Sequence, residues 1–145
     1  MAVRHVFVYG TLRRGEQRDI NRLHPAPLWV GLGHVQGILY DLGDYPGLVT
    51  GAGGEVLGEV YLITAALERL LDEIEEVWPQ DTGEYKRRQE IVRLRSGLPD
   101  SEVYELECLL YEINPSRTDG RLIITSGDWV GHRRSPPAYA VSHSI

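Results

Sequence analysis

Two features of this chain could do chemistry together: a glycine-framed turn able to hold an anion, and a carboxylate able to move a proton. The turn is Tyr9-Gly10-Thr11-Leu12, which ends the apolar run Val6-Phe7-Val8-Tyr9, the pattern of a strand running into a tight turn. Gly10 has no Cβ, so successive main-chain N–H groups there can converge on one acceptor. Gly10 and Gly15 have the spacing of a phosphate loop, but the chemistry fails. Glu16 stands where the lysine belongs, Gln17 where a magnesium-binding hydroxyl belongs, and the chain's only lysine is Lys86. The carboxylates sit on the one strongly periodic segment, Thr64 to Trp78, where Leu67, Leu70, Leu71, Ile74 and Trp78 form an apolar stripe. At about 100° per residue Glu75 falls beside Leu71 on the margin of that stripe, with Asp72, Glu73 and Glu76 further toward solvent. Glu68 lies on the same margin, and periodicity alone leaves both glutamates open.

Other chemistries find little support. His5, His24, His34, His132 and His143 are scattered, with no pair at the i,i+4 spacing of a helical metal site, so no metal is expected. No serine lies in a G-x-S-x-G setting. The single Cys108 sits in an apolar run and reads as a small core residue. Acid–base work by carboxylates and tyrosines is what remains.

The elements that must position these groups come from a chain of 145 residues, enough for one domain with a proper core. Residues 1–132 are expected to form that domain and residues 133–145, with Pro136-Pro137, an irregular C-terminal tail. A net charge of −6 argues against a nucleic-acid partner. No stretch approaches the ~20 apolar residues of a membrane span. One cysteine and no secretory signal predict a cytoplasmic protein, and the expected state is a monomer.

Along the chain, Glu16 to Leu23 reads as a short helix stopped by His24-Pro25-Ala26-Pro27. Trp29 to Tyr40, broken by Gly31, Gly33 and Gly37, predicts bent or bulged strands. A turn over Asp41 to Gly47 leads to a brief strand at Leu48 to Thr50. Gly51 to Gly54 is a second turn, and Val56 to Ile63 a further strand. Tyr85 to Leu94 and Val103 to Ile113 alternate as strands, with polar turns at Pro79 to Gly83 and Ser96 to Asp100. Lys86-Arg87-Arg88 reads as a solvated strand start. Leu122-Ile123-Ile124 is a short apolar piece, and Gly127-Asp128-Trp129 closes the ordered chain. Strands outnumber helices and the strong helix follows several of them, so the fold class is α+β.

Five motifs in order now carry what none would carry alone: Val8-Tyr9-Gly10-Thr11-Leu12; Leu39-Tyr40-Asp41 with Tyr45-Pro46-Gly47-Leu48-Val49; Gly58-Glu59-Val60-Tyr61; Leu71-Asp72-x-x-Glu75; and Tyr85-x-Arg87. With Gly127-Asp128-Trp129 near the end, the chain resembles the γ-glutamylcyclotransferase-like family, including its AIG2-like bacterial branch and the γ-glutamylamine cyclotransferases. The resemblance implies a small closed mixed β-barrel flanked by helices. It also implies a cofactor-free reaction in which the α-amine of a small γ-glutamyl substrate attacks its own γ-carbonyl, releasing 5-oxoproline and an amine or amino acid. By position the family's catalytic glutamate falls on Glu75, and its substrate loop on Tyr9, Gly10, Thr11 and Leu12. Tyr85, Arg87 and Tyr111 are candidates to line or brace the pocket. Many relatives have glycine directly after the catalytic glutamate, where this chain has Glu76; that departure concerns the pocket's outer wall and so the substrate. The leaving group stays open among an amino acid, a polyamine-like amine, a lysine side-chain amine and a peptide. The competing reading is a non-catalytic domain that binds a small amino-acid derivative through the Tyr9 to Leu12 loop. A carboxylate kept at the core margin favours the enzyme.

Overall fold

A computed structural model of the protein describes residues 3–76, 82–94 and 104–134. Its elements are β1 (Val3–Val8), β2 (Leu28–Asp41), β3 (Pro46–Thr64), α1 (Ala65–Ile74), β4 (Tyr85–Leu94), β5 (Tyr104–Ile113), β6 (Leu122–Ile123) and α2 (Trp129–Arg134). The strands run β3-β1-β5-β4-β2, and β2 pairs again with β3, so the ladder closes on itself with β6 added beside β2. β1 and β5 are parallel and the other pairs antiparallel. This is the α+β fold with a small closed mixed barrel that the motifs implied.

Period-two alternation divides the apolar residues of β1 and β5 between two cores. Phe7 and Tyr9 join Val35, Leu48, Val92, Cys108 and Trp129, a cluster drawn from all five ring strands, which fills the ring. Val6 and Val8 join Tyr61, Leu67, Leu71, Leu109 and Tyr111 in a second cluster beneath α1. Leu67 and Leu71 are both fully buried, and truncating either to alanine should cost about 2–5 kcal/mol. Cys108 is a buried core thiol.

Several local expectations need correction. The helix begins where expected, with Thr64 accepting from the Leu67 N–H at 3.3 Å as its N-cap. It ends at Ile74, short of Trp78, because Glu76 turns left-handed with φ 59°; Trp78 lies outside the described residues. Asp72 does not face solvent: it is 8% exposed. Glu16 to Leu23 is a run of turns with a 3₁₀ turn at Ile20–Arg22 rather than a helix. Asp19 explains this, because its carboxylate accepts from the N–H groups of Gly15 and Asn21, both at 2.9 Å, which diverts them from a helical ladder. The Gly51 to Gly54 segment is extended within one long β3 rather than a turn between two strands. It still departs from the ladder, since Gln36 pairs with Glu55 and the next residue, Gly37, with Thr50. A second irregularity, between Trp29 and Gly31, leaves one residue of β2 unpaired and is a bulge of the kind expected there. The proposed turn at 96–100 lies outside the described residues. At the C-terminus, Arg133 and Arg134 belong to α2, and residues 135–145 are outside the described range.

Candidate functional site

The end of β1, the end of α1 and the starts of β3 and β4 meet around a cavity of about 330 Å³, within the range of small-ligand sites. Tyr9, Gly10, Thr11 and Leu12 line one part of it, and Ile74 and Glu75 another; Tyr85 and Tyr111 complete the set that the sequence singled out. Arg87 does not line it. Its guanidinium binds Asp72 at 2.7 Å and also Glu68, so it braces α1 from outside. Glu68 is held by Arg4 at 2.9 Å as well and is absent from the cavity wall. Of the two glutamates that periodicity left open, only Glu75 reaches the cavity.

Glu75 is the C-cap of α1, its N–H bonded to the Leu71 carbonyl at 2.9 Å. The helix therefore delivers the side chain at its very end, where it opens on the cavity and keeps partial exposure. Burial among protein atoms pushes its carboxyl up to about 7; Arg18 pulls the other way, and Glu84 and Glu76 add to the rise. Desolvation disfavours the charged form more than one nearby cation restores it. A carboxyl poised there can accept and return a proton near neutral pH.

The loop is folded by its own turns. The Arg13 N–H donates to the Gly10 carbonyl at 3.0 Å, Arg18 N–H to Thr11 at 2.9 Å and Ile20 N–H to Leu12 at 2.9 Å. Among the described residues, the N–H groups of Thr11 and Leu12 donate to no backbone carbonyl in these turns, and both residues line the cavity. Gly10 is needed for a reason the sequence did not show. A Cβ there would lie 2.7 Å from Cγ of Pro46, so the missing side chain lets β3 pack on the turn.

The three tyrosines use their hydroxyls as framework. Tyr9 donates to the Tyr111 carbonyl at 2.6 Å and accepts from the Leu48 N–H at 3.3 Å. Tyr85 donates to the Pro46 carbonyl at 2.9 Å, and Tyr111 to Asp72 at 2.7 Å. Burial raises all three hydroxyl pKa values well above the ordinary tyrosine value, so each stays protonated. What they offer a ligand is ring surface.

Sequence reasoning missed two groups of residues. Arg18 is the one basic side chain lining the cavity among the described residues, facing the carboxylates of Asp44, Glu75, Glu76 and Glu84. Nothing in periodicity could find it, since it comes from an irregular segment. The second group lies beneath the loop. Arg13, 7% exposed, sits between Glu59, 5% exposed, and Asp128. A signal existed: both acids fall inside the family's motifs, and Glu59 interrupts the otherwise apolar run Val56 to Ile63.

Comparison with known proteins gives a consistent result. A family model described as gamma-glutamyl cyclotransferase, AIG2-like, matches residues 6–131. A relative from Vibrio cholerae, provisionally named a gamma-glutamylcyclotransferase, is 36% identical over 124 residues, covering 86% of this chain and 93% of its own. Among solved structures, the mouse AIG2-like protein superposes with a TM-score of 0.61 at 28% identity, over 77% of this chain and 78% of that one. YkqA from Bacillus subtilis superposes with a TM-score of 0.67 at 23% identity over 99% of this chain, which spans 44% of that longer protein, and supports the fold alone.

Proposed function

This chain belongs to the gamma-glutamyl cyclotransferase, AIG2-like family, and from that membership we propose that it is a cyclotransferase releasing 5-oxoproline from a small γ-glutamyl compound. The observation that carries this reading is Glu75: a carboxyl pushed up to about 7, in one cavity with the Gly10 to Leu12 turn.

The reaction is an internal acyl transfer. The α-nitrogen of the γ-glutamyl group forms a bond to its own γ-carbonyl carbon, closing a five-membered lactam. The bond from that carbon to the leaving nitrogen then breaks. One proton must leave the attacking nitrogen and one must reach the departing one, so a single carboxylate can serve as base and then acid. Glu75 takes that part. The N–H groups of Thr11 and Leu12 take the substrate α-carboxylate or the oxyanion that develops on the carbonyl. No electrons change hands, so the chemistry asks for no redox cofactor.

The test is incubation of the protein with a panel of γ-glutamyl amino acids, amines and peptides, followed by detection of 5-oxoproline by mass. Release from at least one class, lost in Glu75→Gln, is the expected result. Binding of such compounds without turnover would favour the non-catalytic domain instead.

A further inference from the structure

The substrate loop and α2 exchange charges. Arg13, in the loop, donates from Nη1 to Oδ1 of Asp128 at 2.8 Å, at the start of α2. In the other direction Arg133 of α2 donates from Nε to Oε1 of Glu16 at 2.9 Å, a loop carboxylate only 2% exposed. Arg13 also donates from Nε to Glu59 of β3 at 3.1 Å, while the second oxygen of Glu59 accepts from the Arg14 N–H at 2.9 Å and from the Tyr61 hydroxyl at 2.7 Å. None of Arg13, Glu59 and Asp128 lines the cavity.

A planar guanidinium held by two carboxylates has one orientation. Arg13 is also the residue whose N–H closes the turn on Gly10, directly after Thr11 and Leu12. Fixing its side chain therefore fixes the direction of the peptide groups before it. Asp128 is itself fixed by the Gly131 N–H at 3.2 Å and by Gly127, whose φ of 68° and 2.0 Å Cβ approach to the Glu55 carbonyl admit only glycine. We infer that Arg13 is a positioning residue for the cyclotransferase site proposed above: clamped by Glu59 and Asp128, it aims the Thr11 and Leu12 N–H groups, and through it α2 governs how substrate is held.

Asp128→Asn tests this, because asparagine keeps the acceptor for Gly131 and removes the charge that faces Arg13; Arg13→Lys, which keeps charge but cannot span both acids, is the second variant. Three measurements go together: kcat/KM, the Thr11 and Leu12 amide resonances of the free protein, and the thermal midpoint. Expected are a fall in kcat/KM of about 10–100-fold, shifts of both amide signals larger than those along β1, and a folded protein. Unmoved amide signals, or a lowered midpoint with kcat/KM unchanged in the folded protein, would overturn the inference. Should the wild type release no 5-oxoproline from any substrate, the functional reading falls separately. The clamp then stands or falls on the amide signals alone.

Discussion

Tyr111 donates its hydroxyl to Asp72 at 2.7 Å, a bond that fastens α1 to β5 three residues before Glu75. Arg87 of β4 grips the other oxygen of Asp72 at 2.7 Å, so two strands hold the last turn of the helix from one side. The catalytic candidate is thereby positioned through Asp72, which does not itself line the cavity. Tyr111→Phe keeps the ring on the cavity wall and removes one bond to a buried carboxylate, which should cost about 1–3 kcal/mol. Turnover should fall by less than tenfold, because Glu75 is loosened but not removed. Denaturant midpoints and kcat measured together check this. A loss of kcat beyond 100-fold without a stability change would mean that the hydroxyl acts on substrate.

Glu75→Gln should retain the fold and lose about 10²–10⁴-fold in kcat, since the amide keeps the shape but cannot take the proton. Glu68→Gln is the contrast. It weakens ion pairs to Arg4 and Arg87 away from the cavity, so its effect should appear in stability, with turnover per folded molecule within about twofold. Equal turnover by wild type and Glu75→Gln on a confirmed substrate would remove Glu75 from the mechanism.

Gly10→Val should raise KM and destabilise together. Its Cβ would fall 2.7 Å from Pro46 Cγ, a ring atom that cannot swing aside, so the turn and the start of β3 must part, at about 1–3 kcal/mol for overpacking. Thermal melts beside KM for the best substrate decide it. A normal midpoint with a normal KM would show that the turn tolerates the side chain.

Much of this site was legible because its parts obey short-range rules. An apolar run closed by glycine put Tyr9 and Gly10 where β1 runs into its turn, and helical periodicity reduced the acids of α1 to Glu68 and Glu75. Periodicity could go no further, since the choice depends on where Arg4 and Arg87 draw Glu68. It also misjudged Asp72. A helix wheel knows one face of core, whereas α1 packs both on the barrel and beside Arg87 and Tyr111, and the second contact buries a charge the wheel sends to solvent. The short helix expected at Glu16 to Leu23 failed for a similar reason: Asp19 bonds locally and Glu16 turns inward to Arg133. The pairing of Glu16 with Arg133, 117 positions along the chain, has no signature in local pattern.

Glu76→Gly should stabilise the protein. The residue after the C-cap is the common place for a left-handed glycine, and Glu76 holds that conformation at φ 59°, a strain of about 1–2 kcal/mol for a residue with a Cβ. The entropy of the more flexible unfolded chain offsets part of the relief, so the expected gain is about 0.5–1 kcal/mol. Removing this carboxylate also removes one of the charges that raise Glu75, so the acid limb of kcat/KM should move to lower pH. Urea midpoints and a pH–rate profile read the two effects separately.

The pH dependence of stability provides a test that needs no substrate. The Glu75 carboxyl, pushed from an ordinary 4.5 up to about 7 by burial, holds its proton in the folded state across an interval where the unfolded chain has released it. The folded state therefore binds more protons between pH 4.5 and 7, and stability falls as pH rises through that window. The contribution is fully present below 4.5 and gone above 7, with a slope of at most about 1.4 kcal/mol per pH unit. Glu75→Gln cannot ionise and should lack this slope, making the variant more stable than wild type at pH 8 and not at pH 4.5. The same carboxyl must be ionised to accept the proton of the attacking amine, so kcat/KM of the wild type should fall about tenfold per unit below pH 7. Urea unfolding of both proteins at half-unit steps, beside direct titration of the side chain by NMR, supplies the comparison. Parallel stability curves for the two proteins would mean that Glu75 ionises as it does in water, and the proton-shuttling part assigned to it would fall with that result.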